Sequence, residues 1–439
     1  MRATRLPLLL LLLPVLLLGL ASCNDRCEET RITRRFTPVT LSLLELRNDL
    51  KTEAPRAMEH PGKIYVRDKY LFINEVKEGI HIIDNSNPAS PRAVAFVRIP
   101  GNGDMAVRGN ILYADSYSDL VALDITDPTQ PKEVSRVGEV FKSGMFDGGS
   151  WNYNASIRAI NEQKVEYVTE TVTTNCEENA VNPGWWWGGG VAFLMADASF
   201  SRAQSSVAAS APSGGDGKGG SMARFALYDR YLYTVGQNDL KLFDVSNPAK
   251  PVDFATVNLG WGIETIFPYK DKLFIGSMTG MHIYDNSNPA SPQKLSVFEH
   301  LRACDPVVVQ DNIAYVTLRT GTACTNAQNQ LDLVDITDLT RPQLIKSYSM
   351  QNPHGLSIDY PTLYLCEGQH GLKTFDVSDR FGVDKNLLYH MKNLDAYDVI
   401  TMGKTLLMIG KDGFYQFDAT NPRELRQISK LVVGKKNGI

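Results

Sequence analysis

Seven copies of one short phrase constrain the fold of this chain more than any other feature. Each copy is an apolar run that ends in Asp and is followed by a turn cluster, usually with Pro. The copies are Ile80–Pro91, Leu120–Pro131, Leu240–Pro251, Met281–Pro292, Leu331–Pro342, Leu372–Val383 and Phe414–Leu425. Their aspartates, most of them 40 to 42 residues apart, are Asp84, Asp124, Asp244, Asp285, Asp335, Asp376 and Asp418. A repeat of this length is a supersecondary unit that buries its faces only against neighbouring copies.

Each repeat contains four short runs of β-branched and aromatic residues, separated by Asn, Asp, Gly and Pro. In the fourth repeat they are Gly262–Pro268, Leu273–Gly276, Met281–Tyr284 and Lys294–Phe298. Both positions before the repeated Asp are mostly large and apolar, which indicates strands that are buried on both faces. The pattern predicts an all-β, seven-bladed β-propeller with four antiparallel strands per blade and one insertion between blades two and three.

The repeated aspartates stand at a turn-forming position. An Asp at a strand end accepts hydrogen bonds from the backbone two residues later, and a following Pro ends the strand ladder because it has no N–H donor. We therefore interpret the seven aspartates as structural turn residues and not as a catalytic carboxylate array.

The phrase itself resembles the LVIVD repeat of bacterial envelope proteins, and LDLVD at Leu331–Asp335 is a close match. The resemblance covers residues 60–439 apart from the insertion. It implies a propeller, export and a surface location, but no settled biochemical activity.

The N-terminus has the features of a targeting segment. Residues 1–22 combine early arginines with a Leu-rich run too short to span a membrane, which indicates a signal peptide. Leu20–Cys23 (LASC) is similar to the lipobox of bacterial lipoproteins, which implies cleavage before Cys23 and acylation of its thiol. The membrane partner would then be reached through acyl chains, with the protein anchored to the outer membrane on its periplasmic face or at the cell surface. Residues 23–59 are expected to form a tether with a short helix in Thr40–Lys51, since Ser42 and Glu45 have capping-box spacing.

The charge of the chain limits the classes of partner that we expect. Removal of residues 1–22 takes away two arginines and no acid, so the net charge falls from −4 to −6. With no basic stripe or nucleic-acid motif, we expect no nucleic-acid partner.

Cys304 and Cys324 flank the first hairpin of the fifth repeat, and we predict a disulfide between them. We predict that Cys366 is a buried thiol, while Cys27 and Cys176 could form a disulfide or remain free thiols.

Residues 142–222 contain no copy of the phrase and form the predicted insertion. Its Trp185–Trp187 cluster either packs the insertion onto the propeller or stacks on a sugar, and the packing alternative is favoured because large aromatics dominate packing generally. Gln204–Ser221 is rich in Ser, Ala and Gly, which predicts disorder.

Polar residues stand where the first strand of most repeats begins, about 20 residues before the repeated Asp. In a propeller these positions surround one mouth of the central channel, so they form a candidate ligand-binding ring. Four acids among them could hold a divalent cation such as calcium, and the structural alternative is that they bond to neighbouring backbone. The ring residues are Asp104, Arg224, Glu264, Asp305, His354 and Asp398.

These features favour a lipid-anchored envelope propeller that acts as a binding or interaction module for a protein, glycan or small ligand. The alternative is a metal-assisted hydrolase or lyase that uses the ring. No phosphate loop, HExxH motif or registered Ser-His-Asp set is present in the sequence. The sequence leaves open whether the protein is an enzyme, and it does not identify the ligand.

Overall fold

The computed structural model describes residues 26–146, 148–175, 218–300, 306–320 and 328–434. The chain divides into two compact units. The first comprises residues 1–37 and 165–199, of which 26–37 and 165–175 are described. The second comprises residues 38–164 and 200–439. We treat each unit separately.

The first unit contains parts of two long strands, β1 (Arg26–Ser42) and β13 (Ala159–Asn175), which are neighbours in one sheet. The Thr33 hydroxyl donates a hydrogen bond of 3.4 Å to the carbonyl of Val168. Cross-strand contacts of this kind stabilise a two-stranded ribbon.

The second unit contains seven antiparallel sheets that each carry one copy of the repeated phrase, and each is built from four strands that are consecutive in the chain. In the first three repeats these are β3 (Pro61–Arg67), β4 (Tyr70–Glu75), β5 (Gly79–Asp84) and β6 (Arg92–Arg98); β7 (Met105–Arg108), β8 (Ile111–Ser116), β9 (Asp119–Asp124) and β10 (Lys132–Val137); and β14 (Phe225–Tyr228), β15 (Tyr231–Val235), β16 (Asp239–Asp244) and β17 (Val252–Asn258).

The last four repeats follow the same order. Their strands are β18 (Ile263–Tyr269), β19 (Lys272–Ser277), β20 (Gly280–Asp285) and β21 (Gln293–Glu299); β22 (Val307–Gln310), β23 (Ile313–Leu318), β24 (Gln330–Asp335) and β25 (Gln343–Ser349); β26 (Leu356–Asp359), β27 (Thr362–Cys366), β28 (Leu372–Asp376) and β29 (Leu387–Met391); and β30 (Ala396–Met402), β31 (Thr405–Gly410), β32 (Gly413–Asp418) and β33 (Arg426–Val432). A 3₁₀ turn, Val383–Lys385, precedes β29.

An eighth sheet is present in the described residues, where the repeat pattern predicts seven. It contains no copy of the phrase and has the order β1-β13-β12-β11, with β11 at Ser143–Phe146 and β12 at Gly149–Asn154. The insertion therefore supplies three strands of a sheet that the N-terminal strand completes.

The N-terminal segment also contains a helix and a further strand. Helix α1 (Leu43–Asn48) begins after Ser42, whose hydroxyl accepts the N–H of Glu45 at 3.5 Å. Strand β2 (Lys51–Glu53) pairs with β6 and becomes the fifth strand of the first repeat's sheet. This strand covers a sheet edge that would otherwise present unpaired backbone groups.

Apolar side chains pack between each sheet and the next. One core cluster joins the sheets of repeats one, two and three, and others join three with four, four with five and six, and six with seven. A further cluster packs Ile64 and Val66 of the first repeat with Ile400 and Ile409 of the seventh. Burial of both faces explains why inner strands such as β5 and β9 lack polar alternation, whereas fourth strands such as β10 and β17 are largely exposed.

The repeated aspartates each accept a hydrogen bond from the N–H two residues later, at 2.8 to 3.1 Å. The donors are Ser86, Thr126, Ser246, Ser287, Thr337, Ser378 and Thr420. A second turn of this kind, which the sequence analysis did not predict, begins three residues after each repeated aspartate. Its acceptors are Asn87, Asp127, Asn247, Asn288, Asp338, Asp379 and Asn421.

Substitution of one turn aspartate tests its contribution to stability. Asp124 also accepts the Thr126 hydroxyl at 2.6 Å, and these two bonds hold the pKa of its carboxyl below its usual range. We expect Asp124→Ala to lower the free energy of unfolding by about 1 kcal/mol, because the turn loses its acceptor. Asp124→Asn retains an acceptor and should cost less.

Urea denaturation of the wild type and both variants measures this effect. Because the carboxyl pKa is lowered on folding, its stabilising contribution is present above the unfolded pKa and is lost as pH falls through the folded value. The advantage of Asp over Asn should therefore shrink in acid. Equal stability of wild type and Asp124→Ala at neutral pH would contradict the structural role.

Candidate functional site

The sheets of the second unit have two ends with different chemistry. We call the end that carries the repeated Asp turns the turn face, and the opposite end, where the first strand of each repeat begins, the insertion face. Because adjacent strands are antiparallel, the connection between the second and third strands also lies on the insertion face. The insertion leaves the end of β10 and re-enters at the start of β14, so both of its junctions lie on this face.

A short stretch before β14, Lys218–Ala223, runs between the first strands, and we call it the axial segment. Lys218 exchanges two backbone hydrogen bonds of 2.7 Å with Val66 on β3. The Ser221 hydroxyl accepts the N–H of Leu356 on β26, and the carbonyl of Ala223 accepts the N–H of Ile266 on β18. One segment that bonds to three well-separated sheets lies along the axis that their first strands surround.

This finding corrects the expectation that Gln204–Ser221 lacks structure, at least for residues 218–221, which are described. The reason is that the first strands supply the backbone partners that an isolated Gly-rich chain lacks. Narrow space also favours small residues, since a Cβ added at Gly219 would lie 3.0 Å from the ring of Tyr65.

Asp104 and Lys63 form a buried ion pair on the axial side of repeats one and two. The Lys63 ammonium lies 2.7 Å from Asp104 Oδ2, and the two residues are 4% and 2% exposed. The same oxygen accepts the N–H groups of Arg224 at 2.6 Å and Phe225 at 3.1 Å. Asp104 thus fixes the start of β14, and burial lowers the pKa of Lys63 although Asp104 opposes that shift.

Asp115 and Asp398 are two further carboxyls near this pair. Asp115 Oδ1 accepts the N–H groups of Gly103 at 2.7 Å and Asp104 at 2.9 Å, while burial raises its pKa to about 6. Asp398 is 0% exposed, and burial raises its pKa well above the usual range, so its neutral form is favoured. Its carboxyl lies beside the Ser221 hydroxyl, but neither oxygen has a hydrogen bond of acceptable geometry within the described residues.

Arg319, His354 and Glu264 form a second group, on the side of repeats four to six. Arg319 follows β23 at the insertion face and is 6% exposed, with Glu264 and His354 in its electrostatic range. His354 is 8% exposed, and its ring centroid lies 5.5 Å from that of Tyr397. Burial and the nearby Arg319 charge hold the pKa of His354 well below its usual value, so its neutral imidazole is favoured.

The structure therefore places the predicted ring residues in two groups. Asp104, Arg224 and Asp398 lie around Lys63, whereas Glu264 and His354 lie around Arg319. Asp305, the sixth member, lies outside the described residues. So do Cys23, Cys176, Trp185–Trp187 and the two cysteines of the predicted disulfide, Cys304 and Cys324. Cys366 is a free, buried thiol.

Arg319 and Lys63 were not among the predicted ring residues. The sequence search aligned only the starts of first strands, and Arg319 stands at the end of a second strand. Antiparallel pairing brings that end to the same face. A search of both strand ends would have included Arg319.

Trp261 is a further side chain of the insertion face that the sequence search did not single out. It lies in the connection between β17 and β18 and is 52% exposed. Its neighbours Gly260 and Gly262 have φ angles of +96° and +81°, a conformation that disfavours other residues. The backbone on both sides of this tryptophan thus has a conformation that favours glycine.

Comparison with known proteins identifies the class. The LVIVD repeat family matches residues 61–97, 102–138, 219–258 and 302–350. These are the first, second, third and fifth repeats. The chain belongs to the LVIVD-repeat family, and its fold is a β-propeller of repeated four-stranded sheets.

Three solved structures that resemble the chain have very different sequences. The computationally designed Ika8 protein is 9% identical over 86% of this chain and 91% of that chain, with a TM-score of 0.48. BamB from Moraxella catarrhalis is 10% identical over 88% and 97%, with a TM-score of 0.46. Apo AztD from Citrobacter koseri is 12% identical over 85% and 95%, with a TM-score of 0.41. None of the curated proteins matches the chain.

No group of three or more His, Cys, Asp or Glu side chains in the described ranges is arranged to hold a metal ion. No helix in the described part of the chain has the length and apolar character needed to cross a membrane.

The Lys63–Asp104 pair predicts that substitution of Lys63 has opposite effects on stability in the wild type and in an Asp104→Asn variant. Asp104→Asn keeps an acceptor for the two N–H groups but leaves the Lys63 ammonium buried without its counter-charge. We expect a loss of about 3–5 kcal/mol in the free energy of unfolding. Lys63→Met should lower the stability of the wild type yet raise that of the Asp104→Asn variant.

Denaturant unfolding of the two single variants and the double variant measures this coupling. The exposed pair Arg426–Glu424, at 3.0 Å, is the matched control, and Glu424→Gln should cost less than about 1 kcal/mol. If Lys63→Met destabilises both backgrounds equally, the pair is not coupled.

Proposed function

We propose that this protein is a lipid-anchored, seven-bladed propeller of the bacterial cell envelope that acts as an interaction module. The ring of seven is supported by the apolar cluster that joins the first and seventh repeats, together with the contacts that link every intervening pair of sheets. In this proposal the eighth sheet is an accessory to the ring and not a blade.

The observation that carries the interaction role is the elaboration of one face. Tyr117, in the β8–β9 connection, packs against Trp151 and Phe146 of the eighth sheet, with ring centroids at 5.4 and 5.9 Å. Strands β11 and β12 are therefore attached at the insertion face. The turn face, by contrast, repeats the same two turns in all seven repeats, which provides little specificity.

Trp261 strengthens the assignment of the insertion face as the recognition surface. Large aromatic side chains provide much of the contact area in protein interfaces and stack on sugar rings. An exposed tryptophan held between two positive-φ glycines is suited to either a protein or a glycan partner.

The lipid anchor rests on the sequence. Cys23 follows a Leu-rich run and two small residues, and strand β1 begins three residues after it. Acyl chains on this thiol would hold the protein at a membrane without a spanning helix, because membrane affinity grows with each buried methylene. The outer membrane, on its periplasmic face or at the cell surface, is the proposed location.

Metabolic labelling with an alkynyl fatty acid tests the anchor. We expect the wild type to incorporate the label and to remain in the membrane fraction. Cys23→Ala should incorporate none, because its acceptor thiol is gone. Cys366→Ala is the matched control and should label like the wild type, since that thiol is buried. A wild-type chain that stays unlabelled would contradict the anchor.

Binding to envelope components tests the recognition face. We expect Trp261→Ala to weaken capture of envelope components by the immobilised protein. Arg341→Gln, on the exposed turn face, should leave capture unchanged. Equal capture by both variants would remove Trp261 from the recognition surface, and loss of capture only in Arg341→Gln would move recognition to the turn face.

A further inference from the structure

The backbone contacts of the axial segment give its direction among the first strands. Lys218 exchanges two hydrogen bonds of 2.7 Å with Val66, and the two segments are antiparallel. Because β3 runs from the insertion face to the turn face, the axial segment runs from the turn face to the insertion face. Val66 lies one residue before the end of β3, so Lys218 lies at the turn-face end of the first strands.

The other end of the axial segment lies at the insertion face. The Ser221 hydroxyl accepts the N–H of Leu356, the first residue of β26, at 3.1 Å. Arg224 follows the segment and donates its N–H to Asp104, which stands just before β7. Residues 218–224 therefore extend between the first strands from their turn-face end to their insertion-face end.

The axial segment fits closely among these strands. Residues 219–223 are all buried, and four of the five are Gly, Ser or Ala. A Cβ added at Gly219 would lie 3.0 Å from the ring of Tyr65, which is tighter than an ordinary contact. Glycine at this position thus allows the close approach of the segment to β3.

Lys218 also joins the first repeat to the seventh. Its ammonium group donates a hydrogen bond of 2.7 Å to the carbonyl of Thr401 on β30, while its backbone pairs with β3. Within the described ranges, each repeat-bearing sheet takes its four core strands from one repeat, so none combines strands of the first and seventh repeats. A second backbone contact at this seam is the hydrogen bond from the Gly434 N–H to the Met58 carbonyl at 2.7 Å.

We propose that the axial segment is a built-in plug, which passes through the central channel and holds the seam between the first and seventh repeats closed. The protein's own chain then contacts the predicted ligand-binding ring, as Arg224 and Phe225 contact Asp104. A ligand of the interaction module would bind at one of the two faces and not in the channel. The seam rests on the ring of seven proposed above, but the plug depends on neither the anchor nor Trp261.

Disulfide trapping in the full chain, purified in detergent, tests where the segment lies. Residues that exchange both backbone hydrogen bonds have Cα atoms about 5.5 Å apart, within the range of about 4.4–6.8 Å that a disulfide spans. We expect the Val66→Cys/Lys218→Cys variant to form this cross-link under mild oxidation. Val66→Cys/Ser221→Cys is the matched control and should not, because three residues of extended chain add about 10 Å. Peptide mass spectrometry identifies the linked residues.

Hydrogen exchange tests whether the segment connects separate repeats. The N–H groups of Val66, Leu356 and Ile266 belong to three repeats, and all three donate to the axial segment. We expect Gly219→Val to make these amides exchange about tenfold faster or more, because the added side chain meets Tyr65 and displaces the segment.

Two controls separate displacement of the segment from general unfolding. Peptides of β32, which lies between β31 and β33, should exchange in Gly219→Val at the wild-type rate. Ala89→Val adds bulk at an exposed turn and should leave all of these rates unchanged.

Thermal unfolding tests the seam. Lys218→Met loses the hydrogen bond to the Thr401 carbonyl and should lower the Tm. Lys404→Met is the matched control, since this exposed lysine lies in the hairpin that follows β30, and it should leave the Tm unchanged. Equal Tm values for the two variants would remove Lys218 from the seam.

Three other outcomes overturn the plug. One is a folded Val66→Cys/Lys218→Cys variant that forms no cross-link, and another is equal cross-linking in the Ser221→Cys control. The third is unchanged exchange at Leu356 and Ile266 in Gly219→Val. If Gly219→Val does not fold, the two cross-linking variants decide the question. Failure of the fatty-acid labelling or of the capture experiment would leave every one of these measurements unaffected.

Discussion

The packing of apolar sheet faces against one another is the interaction on which the remaining structure depends. Every repeat-bearing sheet contributes side chains to a core cluster shared with a neighbour, and the first repeat shares one with the seventh. At about 25 cal/mol per Å² of buried apolar surface, this term is the largest favourable contribution available to such a fold. This packing positions the turns and the buried polar groups.

The repeats could be predicted from the sequence because their turns depend on residues that are close together in the chain. Pairing between segments that are far apart in the chain could not be predicted in this way. The Asx turn after Asp84 depends on residues two positions apart, so its signal is contained in the phrase itself. Strand β13 instead pairs with β1, more than a hundred residues earlier, and no local pattern specifies that partner. The axial segment shows the same limitation, because Gly-rich composition describes an isolated chain and not the strands that surround it.

The sequence predicted which polar residues stand where the first strands begin, but not the contacts that these residues make. Alignment on the aspartates found that polar side chains converge where the first strands begin. It could not show that Lys63 neutralises Asp104, or that burial favours a protonated Asp398. A list of four acids therefore suggested a cation site. The structure shows that one of these acids, Asp104, pairs with Lys63, and burial raises the pKa of another, Asp398.

The buried carboxyls around the axial segment differ in how well their hydrogen-bonding capacity is satisfied. Asp104 and Asp115 accept backbone N–H groups and thereby hold the loops that begin β7 and β14. Their burial is compensated by the fold itself. Asp398 differs from them, because it is fully buried and neither of its carboxyl oxygens has a hydrogen bond of acceptable geometry within the described residues. Burial raises the pKa of this carboxyl, and its protonated form is the one that the surrounding packing favours.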